Sequence, residues 1–185
     1  MAQFDIRVRS GEHEIREYPL ETGQDFEQGE PVVVDLASGE IEECGNDPVM
    51  VTGISAGSSQ NAGVAASAGL AIAPDTTLPD NHLIGVYLPT DNTLFCCNVG
   101  GTLATGNRFA TDGIGTAATP TAANAVGETA GFSVVTDGTE NVWVVDTGSL
   151  NRHVVIEALY NSVGENIKQV GARSTVAATM TFSFI

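Results

Sequence analysis

From Val176 to Phe184 the chain alternates without a break. Val176, Ala178, Met180, Phe182 and Phe184 fall on one face, and Ala177, Thr179, Thr181 and Ser183 on the other. A period of two residues is the signature of a strand with one face buried, and no helix can satisfy it. The spacing predicts one C-terminal strand over 174–185, whose alternating part from Val176 onward extends roughly 33 Å at about 3.3 Å per residue. Its large apolar ending, Phe184-Ile185, predicts a packed C-terminus. The other end repeats the pattern: Phe4, Ile6 and Val8 alternate with Asp5, Arg7 and Arg9. Glu12 to Glu21 is polar, with Ile15 and Tyr18 as isolated anchors, so residues 1–22 read as an extended arm or edge element.

Between these ends lie many short apolar runs punctuated by Gly, Pro, Asn and Asp. Strands are expected at Val32–Leu36, Pro48–Ile54, His82–Leu88, Thr93–Val99 and Arg152–Tyr160. Phe132–Val135 and Val142–Val145 flank Asp137-Gly138 and read as a hairpin. Helix competes only at 62–73, where glycines weaken it, and as a rival reading of 152–160. Many short strands with Gly turns indicate a mainly β chain: a single domain over 23–185 preceded by the arm. With 185 residues, such a domain buries about 70% of its unfolded surface, so folding requires no metal or disulfide.

Charge narrows the function. The chain carries 23 acids, 6 arginines and one lysine, Lys168, for a formal charge of −16. Phosphate binding needs a basic patch to release counterions, so nucleic acid is excluded as a partner, and an anionic membrane surface is disfavoured for the same reason. No apolar run reaches the roughly 18 residues of a membrane-spanning helix, and the N-terminal sequence lacks a signal-peptide pattern. Three cysteines, Cys44, Cys96 and Cys97, are an odd number, and neighbours rarely bridge each other, which favours synthesis in a reducing cytoplasm. Cys96-Cys97 along a strand places one thiol inward and one outward. The charge is also uneven. Residues 1–43 hold 12 acids and three arginines, whereas the 93 residues from 44 to 136 hold six acids and one base, Arg108. Two readings fit so uncharged a stretch: a neighbouring chain covers it, or its surface is Thr, Asn, Ser and Gly in contact with water.

Gly53-Ile-Ser55-Ala-Gly57 matches the G-x-S-x-G nucleophile elbow, and Asp146 and His153 follow in triad order. In a small serine esterase His153 would take the Ser55 proton and Asp146 would orient the imidazole. Against this, the segment after the elbow, Ser58-Ser-Gln-Asn-Ala-Gly, is a poor helix start, and no oxyanion-hole motif or strand–helix alternation accompanies it. His13, His82 and His153 lack metal-ligand spacing. Gly113-Ile-Gly115-Thr-Ala-Ala118 resembles a dinucleotide fingerprint, but Pro120 interrupts the helix it requires. Glu40, Glu42 and Glu43 read as a solvated, aggregation-resistant edge. No catalytic, cofactor or metal site is expected.

Gly29-Glu-Pro-Val-Val-Val-Asp, then Val49-Met-Val-Thr-Gly-Ile-Ser, then Gly85-Val-Tyr-Leu-Pro-Thr-Asp-Asn-Thr-Leu-Phe, followed by Gly127 and the strand pair around Trp143, resemble the head decoration or cement proteins of tailed phages. Val86, Asp91, Asn92, Thr93 and Phe95 carry the segment that recurs in that family, and the resemblance covers roughly residues 23–150. It implies a β-barrel or β-tulip-like body, frequent trimers, binding of the major capsid protein on the outside of an icosahedral shell, no cofactor and no catalytic residues. Under this reading Phe4, Ile6, Arg7, Val8 and Arg9 are contact candidates that add a strand to a neighbour's sheet, with Phe182 and Phe184 beside them. The rival expectation is that the 4–9 strand pairs within its own domain. Other virion or surface-array roles (minor capsid, tail or fibre subunit) are the alternative structural reading.

Overall fold

A computed structural model describes residues 6–59, 83–137 and 140–185. The chain is mainly β, in two sheets. The strands in order are β1 (Arg7–Ser10), β2 (Glu14–Pro19), β3 (Pro31–Val34), β4 (Ile41–Glu43), β5 (Gly53–Ser55), β6 (Leu83–Leu88), β7 (Leu94–Asn98), β8 (Phe109–Ala110), β9 (Thr129–Asp137), β10 (Glu140–Asp146), β11 (Val154–Tyr160) and β12 (Thr179–Phe184). Seven of them form one sheet in the order β1-β7-β12-β11-β9-β10-β8, and five form the other in the order β2-β6-β5-β3-β4. The expected helix at 62–73, Phe4 and His82 lie outside the described residues.

Two ribbons tie the sheets together. β1 runs into β2 and β6 into β7, and each pair crosses from one sheet to the other. At this corner the Thr90 and Thr93 hydroxyls both donate to the Glu12 carbonyl, at 2.9 and 2.5 Å. Gly11 turns with φ +95°, and a Cβ there would lie 1.8 Å from the Asn92 carbonyl oxygen. Only glycine permits both the turn and the approach.

The sheets enclose two main cores, beside a small third cluster of Ala110, Val142 and Val144. The larger lies on the seven-stranded sheet and centres on Phe95, Phe132, Trp143, Ile156, Leu159, Met180 and Phe182, with Ile54 and Tyr87 reaching in from the smaller sheet. The smaller core, Leu20, Phe26, Val32, Ile41, Ile84 and Val86, lies on the other face of the five-stranded sheet. Strand β6 therefore buries Ile84 and Val86 one way and packs Tyr87 the other. That two-sided burial explains why Leu83–Leu88 reads as a near-continuous apolar run.

Several expectations are corrected. Neither sheet closes into a barrel: among the described residues the two edges of the five-stranded sheet share no ladder, and one isolated parallel bridge, Leu20 with Ile41, joins them. Residues 7–19 are not a free arm. β1 pairs with β7 (Val8 opposite Phe95) and β2 pairs with β6 along its whole length, because pairing in place satisfies the ribbon's backbone groups. The C-terminal strand is shorter than its alternation, covering only Thr179–Phe184. Upstream, the Asn161 amide donates to the Ser174 carbonyl and the Glu165 carboxylate accepts the Arg173 N–H, which bends the chain out of the sheet. Val176 is left exposed, and the C-terminal Ile185 is 70% exposed and not packed. A register shift between Ile156 and Ala158 also brings Thr181 inside with its neighbours. The Pro48–Ile54 run pairs only from Gly53, since its start is held by other contacts described below. Cys96 and Cys97 are both buried, as is Cys44. Burial raises the Cys44 thiol to about 12, with Glu42 and Glu43 adding to the effect, so little reactive thiolate forms there.

Candidate interaction surface

The three triad residues have separate partners. Ser55 is fully buried at the end of β5. Its hydroxyl donates to the Gly57 carbonyl, its N–H to the Glu30 carbonyl, and its own carbonyl accepts from Gly29. Gly53 is required for packing: a Cβ there would sit 2.4 Å from the Tyr87 carbonyl oxygen. The G-x-S-x-G match thus falls on a buried strand that presses against β6, where an elbow needs an exposed strand-to-helix turn. The Asp146 carboxylate accepts from the Gly148 N–H at 2.7 Å and the Gly113 N–H at 3.3 Å. His153 Nε2 lies 2.6 Å from the Pro48 carbonyl. A carbonyl only accepts, so Nε2 carries the proton and is occupied. No hydrogen bond among the described residues joins the three.

His153 belongs instead to a latch between the sheets. The loop after β4 crosses onto the seven-stranded sheet. The Asn46 side-chain oxygen accepts the Val134 N–H at 2.8 Å, and the Asp47 carboxylate accepts the Asn151 and Leu150 N–H groups at 3.1 and 3.3 Å. The Asn151 side chain donates to the Asp47 carbonyl at 2.8 Å. Asp47 adopts a left-handed φ of +50°, a conformation that Asp tolerates better than most residues. Around this latch three apolar side chains face solvent: Val49, Leu150 and Ile185, the last tied in by its N–H to the His153 carbonyl.

A second exposed apolar feature is the connection between β11 and β12. Asn161, buried at its base, accepts the Val163 and Glu165 N–H groups and donates to the Glu165 carboxylate. Ile167 plugs the loop into the core, with its N–H on the Leu159 carbonyl. This frame holds Val163, Val170 and Val176 outward, Val170 completely exposed. Framed loops that expose apolar side chains are a recurring mark of contact surfaces.

The third feature is acidic. A groove of about 530 Å³ is lined by Gln24, Asp25, Glu43, Cys44, Asn46 and Val134 among others. Glu30, beside it, is buried, and its carboxyl is raised to about 8, chiefly by burial. The Glu27 N–H opposes the shift, while Glu43, Glu27 and Asp25 add to it. Glu43 is raised by burial and by Asp25. Glu42 is raised first by its hydrogen bond with Glu21.

Of the contact candidates, Arg7, Val8 and Arg9 lie on the outermost strand of the seven-stranded sheet. Arg9 places its guanidinium 4.1 Å from the centre of the Tyr160 ring, a cation–π contact within the chain. Ile6 and Phe182 are buried, and this corrects their place as contact residues; Phe184 is half-buried, packed edge-on to Phe95 at 5.3 Å. The apolar alternation that marked them is core packing. The latch and the 161–178 loop were missed. Asn46-Asp47-Pro48 carried a readable turn signal, but no local feature shows which sheet such a turn meets.

Comparison with known proteins finds no matching family model, no similar curated protein and no similar solved structure.

Proposed function

We propose that this chain is a capsid decoration protein of a tailed phage. It binds the major capsid protein on the outer surface of the icosahedral shell as a trimer, without catalysis, and stabilises the shell by bridging neighbouring subunits. The observation that supports this reading most is the position of β1, outermost in the seven-stranded sheet with Arg7, Val8 and Arg9 along it. An outermost strand is a template for a strand from another chain, so it is either defended or used. The tulip-like part of the reading draws support from the curled five-stranded sheet with its own core. The strong negative charge keeps such a protein soluble at the concentration a shell requires.

A protein that binds only the assembled shell stabilises it by mass action, by about 2.7 kcal/mol per site at a hundredfold excess over Kd. The test is the disruption temperature of shells built from the major capsid protein of the same genome, with and without this chain. The disruption temperature rises in a saturable way with the wild type, and Arg7→Glu combined with Arg9→Glu removes the rise while the free protein keeps its circular dichroism spectrum. An unchanged disruption temperature with saturating wild type contradicts the reading.

A further inference from the structure

The loop between β11 and β12 carries a small excess of positive charge in a strongly acidic molecule. Residues 161–178 hold two bases, Lys168 and Arg173, against one acid, Glu165, in a chain of net charge −16. Arg173 pairs with Glu165 at 3.2 Å, which neutralises that acid. Lys168 is exposed, two residues from the fully exposed Val170. Two successive turns, the Gln169 N–H on the Asn166 carbonyl and the Ala172 N–H on the Gln169 carbonyl, shape this tip. The loop therefore offers one cation and one apolar side chain on a pre-formed frame, which lowers the ordering cost of binding.

The acidic groove is its complement. Its wall carries the exposed Asp25 and the half-buried Glu43, and Val134 supplies an apolar lining. The charged groups that bear on Glu30 and Glu43 are all carboxylates: Glu43, Glu27 and Asp25. Like charges held together favour an incoming cation. The groove and the tip are different patches, so an association that joins them is heterologous and runs head to tail, closing into a ring when the rotation permits.

We infer that the 161–178 loop of one copy seats Lys168 and Val170 in the groove between Asp25 and Glu43 of a second copy, so that copies associate head to tail. This rests on the reading above that the chain self-associates, and it names the surfaces. The second copy is the occupant by charge complementarity, against the repulsion that two chains of charge −16 exert over most of their surfaces. Contact is favoured where the locally basic loop meets the acidic groove.

The test is sedimentation velocity of the full chain over a concentration series, at low and high salt. Wild type associates reversibly, and more weakly at high salt. Lys168→Glu and Asp25→Lys, both at exposed positions, each weaken association by about tenfold or more, and the two together restore it, because the charge pair is re-formed in reverse. Val170→Asp weakens it without rescue by Asp25→Lys beyond the charge effect. A wild type that stays monomeric throughout overturns the self-association reading itself. Association that is indifferent to Lys168→Glu and Asp25→Lys, or single losses that the double variant fails to restore, overturns this assignment of the interface and leaves self-association standing.

Discussion

Replacing Phe182 with alanine lowers the free energy of unfolding by about 3–5 kcal/mol. The ring is fully buried, stacked 5.9 Å from Phe95 and edge-on at 6.1 Å to Phe132, with Phe184 at 6.5 Å. It joins β12 to β7 directly, opposite Phe95 in register, and touches β9 through Phe132. Truncation removes the burial of an aromatic side chain and leaves a cavity that three other rings cannot collapse into without leaving their own contacts. For a domain with about 5–15 kcal/mol in hand, that is a large share. Equilibrium unfolding in urea, monitored by Trp143 fluorescence, measures it. Phe184→Ala, at a half-buried position, costs less, about 1–2 kcal/mol. The pair also separates core from contact: if Phe182 acted only at an interface, the free protein would not register its loss.

Glu30→Gln stabilises the protein, and the gain depends on pH. Burial raises the Glu30 carboxyl from 4.5 to about 8. Below pH 4.5 it is protonated in the folded and unfolded chains alike and costs nothing. Between about 4.5 and 8 the unfolded chain releases the proton while the folded one keeps it, so stability falls as pH rises. Above about 8 the full penalty remains. Glutamine never ionises, and its side-chain oxygen still accepts the Glu27 N–H that Glu30 holds at 3.1 Å. The variant and wild type should therefore match near pH 4 and diverge to about 3 kcal/mol at pH 7, at roughly 1.4 kcal/mol per pH unit. Urea unfolding of both proteins from pH 4 to 9 gives the difference, in which the other carboxylates cancel. A gap independent of pH would show that Glu30 keeps its ordinary ionisation.

Much of the fold was legible because strands write their period locally. β6, β7, β9, β10 and β11 lie where alternation or apolar runs placed them. The excess at the C-terminus shows the limit. The alternation begins at Val176, but just upstream the hydrogen bonds of Asn161 and Glu165 hold Ser174 and Arg173 to the preceding loop, and sheet hydrogen bonds begin only at Ala178. Alternation states what a segment can pair as, and distant partners decide whether it does. The sharing of strands between two sheets was not legible, since it depends on where β1 and β6 turn the corner at Gly11, Thr90 and Thr93. The charge-poor middle has a partial explanation of the same kind. Phe95, Cys96, Cys97, Phe109, Ala110, Phe132 and Ser133 come from it and are buried in the chain itself. The 161–178 loop escaped notice because its one lysine and three valines are unremarkable in sequence; a rigid frame that points them outward gives them meaning.

Co-sedimentation of the purified chain with intact shells of the phage proposed as its source, titrated to saturation, bears most directly on the proposal that this molecule works as an architectural subunit. A saturable pellet fraction at a fixed ratio to the major capsid protein, absent with unassembled capsid subunits, is the predicted outcome. A chain that stays in the supernatant at every concentration contradicts it.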